Sequence, residues 1–203
     1  MKRIIITVGG KYHPFEEVGK YLSEKLKEEY DVLLLNNTDF LNSEELFNFN
    51  ALVFYTQGGF LHQTQEKNLI KFVKEGGGFV GIHSANASFK ENEGYIKLIG
   101  SRFIKHGEPC EFEIIIKKNH FITQGIKPFK VFDEFYISEK VDFKEEDVLF
   151  SGYLEGKEHP LGYVKKYGKG RIFYFSPGHG METFLNPNFM EIIRRGIRWV
   201  CGE

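Results

Sequence analysis

The chain has little cysteine, tryptophan and proline. Its two cysteines, Cys110 and Cys201, lie far apart in the 203 residues and form no CxxC pair. That excludes a disulfide framework and a cysteine zinc knuckle, and it fits a reducing, cytoplasmic setting. There is no basic stripe: the formal net charge is −1, with acidic and basic residues interspersed. A surface built for a phosphate backbone is therefore absent, and nucleic acid is not expected as a partner. No apolar stretch approaches a membrane span, so no membrane partner is expected either. The opening run Ile4-Ile5-Ile6-Thr7-Val8 is too short for a signal-peptide core, and no small-residue cleavage site follows it. There is no Pro/Ser-rich linker, internal repeat or low-complexity tract, so a single domain over residues 1–203 is expected.

What the chain does have is a hydrophobic content of 41% with 21 phenylalanines and 10 tyrosines, enough for a sizeable core. Its first half alternates between two periodicities. Arg3 to Val8 is a continuous apolar run, as in a strand buried on both faces. Phe15 to Glu29 then places Val18, Leu22 and Leu26 on one helical face. Asp31 to Leu35, Ala51 to Tyr55 and Phe79 to Ile82 read as further strands. Between them come a short helix capped by Ser43 and a longer one from Gln63 to Lys74. Repeated βα units predict a mainly parallel sheet with helices on both faces.

The second half reads as strands with little helix: Glu111–Ile116, Val131–Ile137, Asp147–Ser151, Leu161–Lys166 and Arg171–Phe175. Tyr167-Gly168-Lys169-Gly170 is a hairpin signal. A helix from about Asn188 to Val200 closes the chain. Antiparallel strands are therefore expected to extend the parallel sheet.

The triplet Gly76-Gly77-Gly78 is not a phosphate loop. It follows a helix and opens a strand, the reverse of a nucleotide fingerprint, and there is no GxxxxGK[ST]. It reads as a helix stop. Among the seven histidines, His13, His83 and His179 sit where strands or glycine turns end, and His106 lies in a loop. Ligands of open α/β sheets bind outside the carboxyl ends of the strands. If the strands run parallel in one sheet, His13, His83 and His179 share an edge. Each alone reads as a loop cap held by hydrogen bonding, but His83 together with His179 points to function. His62 is placed to help cap a helix, and His120 and His159 read as structural or solvated.

A carboxylate is needed beside such histidines for acid–base or metal chemistry. Asp133-Glu134 lies inside an apolar, strand-like run. Alternation would send the two side chains to opposite faces, so only one is expected to enter a given site. Nothing resembles HExxH, and Ser84 lacks the GxSxG frame of a hydrolase elbow.

Taken together, these segments resemble the ThuA-like (trehalose utilization) family, within the class I glutamine amidotransferase-like superfamily. The resemblance covers nearly the whole chain. It rests on Gly9-Gly10 with His13, Gly76 to Ala85, Gly100 to His106, Asn119 to Thr123, Asp133 to Tyr136, Tyr167 to His179, and Arg195 to Trp199. Phe121 departs from it, since the family commonly has proline there. The resemblance implies a flavodoxin-like three-layer sandwich with a strand-to-helix elbow at His83. True amidotransferases carry a cysteine at the elbow. An imidazole cannot form the usual glutamyl thioester, so glutaminase activity is not expected.

The expected function is work on a carbohydrate, such as hydrolysis or isomerisation of an oxidised disaccharide. His83, His179, Glu134 and His106 are the expected catalytic groups, by acid/base or metal-assisted chemistry. Gly10, His13, Tyr55, Ser84 and Tyr136 are expected to line the substrate site. If a divalent metal such as zinc is bound, His83, His106 and His179 are its expected ligands. The competing expectation is a non-catalytic sugar-binding or assembly module, forming a homo-oligomer through its aromatic surface.

Overall fold

The computed structural model describes residues 1–202. In chain order its elements are β1 (Lys2–Gly9), α1 (Phe15–Leu26), β2 (Tyr30–Leu35), β3 (Ala51–Thr56), α2 (Gln63–Lys74), β4 (Gly78–Ile82), α3 (Glu93–Ile99), β5 (Ser101–Lys105), β6 (Cys110–Ile116), β7 (Phe129–Asp133), β8 (Ile137–Lys140), β9 (Val148–Leu154), β10 (Lys157–Tyr167), β11 (Gly170–Phe175), α4 (Met181–Leu185) and α5 (Pro187–Val200). Nine strands form one sheet in the order β2-β1-β3-β4-β11-β10-β9-β6-β7. The first five run parallel, and the rest pair antiparallel.

The parallel strands β1, β3, β4 and β11 are buried on both faces because their apolar residues alternate between two cores. Ile4, Ile6, Val53, Tyr55, Val80 and Phe173 point to one, with α1 and α5 over them. Ile5, Leu52, Phe54, Phe79 and Ile172 point to the other, with α2 and α3. Each fully buried side chain of this size stabilises the fold by about 1.5–3 kcal/mol. The chain thus builds three layers. Among the described residues, no helix is long and apolar enough to cross a membrane.

The glycine triplet stops α2 as expected. Gly76 takes φ +125°, its N–H donates to the Val73 carbonyl, and the Gly77 N–H reaches back to Phe72. Those two bonds close a left-handed helix terminus, which glycine adopts without a Cβ clash. Gly168 takes φ +62° in the two-residue turn between β10 and β11.

Two expectations change. The predicted strand Val131–Ile137 is two strands: β7 ends at Asp133, and β8 starts at Ile137 and pairs with β5 in a separate two-stranded sheet. Helix α1 ends at Leu26, three residues before the predicted limit, so that β2 can begin at Tyr30.

Candidate active site

β1, β4 and β11 run parallel in one sheet, so their carboxyl ends lie on one edge. His13 follows β1, His83 follows β4 and His179 follows β11. Their rings meet there: His13 lies 4.7 Å from His83 and 5.0 Å from His179, centroid to centroid.

His83 is the first residue after β4 and adopts φ +48°, rare for a residue with a Cβ. It is fully buried. Its Nδ1–H donates to the Ser176 carbonyl at 2.7 Å, and its own carbonyl accepts from the Tyr174 hydroxyl at 2.8 Å. A carbonyl only accepts, so Nδ1 carries the proton and Nε2 is left to face the site. That Nε2 is buried without a hydrogen-bond partner, as is Glu134 Oε2, 3.4 Å away.

The carboxylates depart from the alternation expected of a strand. Because β7 ends at Asp133, the backbone turns there and both acids reach the histidines. Asp133 accepts from the Gly178 N–H at 3.0 Å, the His179 N–H at 3.1 Å, the Glu134 N–H at 2.8 Å and the Thr183 hydroxyl. It anchors the turn that carries His179, and it points Glu134 inward. Glu134 Oε2 then lies 3.2 Å from His179 Nδ1, which is itself 3.1 Å from His13 Nδ1. One donor atom from each of His13, His83, Glu134 and His179 lies within 4.8 Å of all the others.

These contacts set the charges. Burial, reinforced by the closeness of the His83 and His179 rings, pushes His13 down to about 3, despite the pull of Glu134. His13 is therefore neutral at ordinary pH. The hydrogen bond to Glu134 raises His179, against its burial. Burial would raise Glu134, but the hydrogen bond from His179 and the closeness of the His83 and His179 rings outweigh it and hold the carboxyl well below its usual range. Burial, and then the nearby carboxylates, push the Tyr55 and Tyr136 hydroxyls up.

Above the cluster is a cleft of about 470 Å³ lined by His13, His106, Glu134, Tyr136 and His179, among others. Tyr136 lies against His83, centroids 4.1 Å apart, and stacks on His106 at 5.6 Å. His106 stays at the exposed rim. Its Nδ1 is 3.5 Å from Glu134 Oε1 and donates to the Gly107 carbonyl. It stands outside the four-donor set, in which His13 and Glu134 take part. Tyr55 is buried behind the cluster and donates to the His179 carbonyl at 3.3 Å. Ser84 is buried and does not line the cleft. Gly10 lines an adjoining cleft.

Asp133 was missed as the organiser of the site. The available signal was its adjacency to Glu134, which strand alternation argued against. His62 caps α2 through the backbone, its N–H donating to Gln65 Oε1. His120 accepts from the Ile122 N–H and packs on Trp199.

A family model described as ThuA, trehalose utilisation, matches residues 3–200. Among solved structures, a ThuA-like protein from Parabacteroides merdae superposes with a TM-score of 0.84 at 19% identity, covering 100% of this chain and 90% of that one. A ThuA-like protein from Bacteroides uniformis gives 0.79 at 20% identity, covering 98% and 91%. A cytoplasmic protein from Salmonella typhimurium LT2 gives 0.68 at 19% identity, covering 97% and 99%. At these identities the likeness shows a shared fold. No protein of curated function matches the sequence.

Proposed function

We propose, from the premise that this chain belongs to the ThuA (trehalose utilisation) family, that it is a cytoplasmic enzyme acting on a disaccharide or keto-sugar in the histidine cleft. The observation that carries this reading is the convergence of His13, His83, Glu134 and His179 beneath an open cleft at the carboxyl edge of the sheet.

The same convergence supports a divalent cation such as zinc. Zinc–ligand bonds of about 2.0–2.1 Å at tetrahedral angles place donor atoms about 3.3 Å apart. Three of the six separations here match this, 3.1 Å for His13–His179, 3.2 Å for His179–Glu134 and 3.4 Å for His83–Glu134, and all six lie within 4.8 Å. The unpartnered His83 Nε2 and Glu134 Oε2 suit a ligand role. The bond from His83 Nδ1 to Ser176 is the outer-shell contact that metal-binding histidines need. When bound, such a cation would polarise a substrate carbonyl or hydroxyl.

The chain's own groups do the rest. His13 offers a neutral ring, and with no cation bound His179 keeps a proton at Nδ1 toward Glu134. Tyr136 covers His83 and excludes water from that side. His106, at the rim beside Glu134 Oε1, is placed to exchange a proton with a substrate in the cleft. Acid–base work next to a carbonyl, as in isomerisation or cleavage of an oxidised disaccharide, suits this arrangement. The strand order β2-β1-β3-β4-β11 supports a flavodoxin-like reading of the parallel half. The positive φ at His83 supports the amidotransferase-like elbow. With an imidazole at that elbow, glutaminase activity is not expected.

The test is metal analysis of protein purified without chelator, followed by turnover of a keto-disaccharide. About one zinc per chain is expected, lost in Glu134→Gln and His83→Ala together with at least about 100-fold of the activity. A metal-free wild type that turns over its sugar sinks the zinc reading. Unchanged turnover in His83→Ala sinks the enzyme reading at this site.

A further inference from the structure

The loops after β1, β2 and β3 enclose a second cleft, of about 610 Å³. Tyr12 and Gln57 line both this cleft and the histidine cleft, so the two join at those residues. β1 sits between β2 and β3. The helix after β1 packs on one face of the sheet and the helix after β3 on the other. Open α/β sheets bind ligands at such a reversal.

Among the described residues, the second cleft has no histidine or acid cluster, and its only charged lining residues are Lys11 and Asp39. Its chemistry is that of binding. Asn36, Asn37 and Asp39 present amide and carboxylate groups along one wall. They are braced against one another: Asn37 Nδ2 donates to Asn36 Oδ1, and the Asp39 N–H donates to Asn37 Oδ1. Thr7, also in the wall, is 1% exposed and keeps a buried hydroxyl with no hydrogen-bond partner. Such a group costs stability unless a ligand or a water satisfies it. Tyr12 and Phe60 are 73% and 56% exposed, which leaves two aromatic rings at the rim.

Braced amides and a neighbouring carboxylate beside exposed aromatic rings suit a ligand with several hydroxyls and an apolar face, which describes a pyranose. A phosphate-bearing ligand would need more than one lysine set against an aspartate. Resting on the carbohydrate reading above, we propose that this cleft binds a second, non-reacting sugar ring. The substrate then has at least two rings, with the linkage between them passing Tyr12 and Gln57. Contacts to the distant ring would contribute binding energy to positioning the reacting one, so a single ring should be handled poorly.

The experiment is amide NMR of the isotopically labelled full chain, titrated separately with trehalose, glucose and NAD. Trehalose is expected to shift amides both at Asn36–Asp39 and Gly58–Phe60 and in the loops of His13 and His179. Asp39→Ala and Phe60→Ala change exposed side chains. Each should weaken trehalose binding at least tenfold, while glucose-induced shifts in the His13 and His179 loops stay within twofold. Trehalose shifts confined to the histidine cleft, or unchanged trehalose affinity in both variants, overturn the second-ring site and leave the carbohydrate reading standing. Shifts at Asn36–Phe60 with NAD but not with trehalose also overturn it. If neither trehalose nor glucose binds in either cleft, the carbohydrate reading falls, and this inference with it.

Discussion

His83 and Ser176 are joined by one hydrogen bond, 2.7 Å from Nδ1 to the backbone carbonyl, and it sets which ring nitrogen of His83 faces the cluster. It ties the end of β4 to the segment after β11. It also fixes the tautomer of a fully buried imidazole, leaving Nε2 toward Glu134. The histidine after β4 thus has one nitrogen committed to structure and the other turned toward Glu134.

Asp133 does for His179 what Ser176 does for His83. Its buried carboxylate accepts from three backbone N–H groups and the Thr183 hydroxyl. Asp133→Asn would turn an NH₂ group toward some of these donors and leave others unpaired. We expect a loss of about 3 kcal/mol or more in urea unfolding, against about 1–2 kcal/mol for Thr183→Val. Equal losses in the two variants would mean that the charge contributes little.

The histidines predict opposite pH trends on the two sides of neutrality, best read on chelator-treated protein. His13 falls to about 3 when folded, against about 6.5 when unfolded. Between those values the unfolded chain binds the extra proton, so stability falls as pH falls. The limiting slope is about 1.4 kcal/mol per pH unit, and less for a ring that solvent partly reaches. His179 is raised, so its contribution is complete below about 6.5 and fades as pH rises through its folded value. Glu134 is depressed, so its contribution is lost only below about 4.3. Denaturation midpoints of His13→Gln should therefore be flatter than wild type from pH 6.5 to 4.5. Those of His179→Gln should be flatter above 6.5. Parallel curves for all three proteins would contradict the assignments.

How much of this was legible in the sequence follows from what each residue depends on. The βα alternation was readable because Ile4 to Val8 and Val18, Leu22 and Leu26 carry period and burial in the chain itself. The shared edge of His13, His83 and His179 was readable because glycine turns and strand ends mark it. The joint entry of Asp133 and Glu134 was not. It depends on β7 stopping at Asp133, which the apolar run through Ile137 conceals. The pairing of β5 with β8 was hidden for a similar reason: Ser101-Arg102-Phe103-Ile104-Lys105 is half exposed and has no clean alternation. The four-donor cluster takes in His13 and not His106 because loop geometry decides which ring reaches the donors, and spacing does not encode it.

Gly196 offers a test of packing against propensity. It lies within α5, where alanine would normally stabilise the helix by about 1 kcal/mol. A Cβ there would come within 2.2 Å of the Phe173 ring in the core. Overpacking of that kind costs about 1–3 kcal/mol. Gly196→Ala should therefore lower the urea midpoint with no change in m-value, although helix propensity alone predicts a rise.

The backbone at His83 should reverse the usual order of glycine and alanine. With φ +48°, a Cβ at this position costs about 1–2 kcal/mol. Glycine avoids that cost but loses about 0.4–1 kcal/mol through the greater freedom of its unfolded chain. Both His83→Gly and His83→Ala delete the imidazole and its bond to Ser176, so the difference between them isolates the backbone. The glycine variant should be the more stable by about 0.5–1 kcal/mol, measured by urea unfolding of the two side by side. If alanine proves the more stable, the elbow relaxes out of the left-handed region once the ring is gone. His83 would then be held there by its hydrogen bond to Ser176 and not by the fold around it.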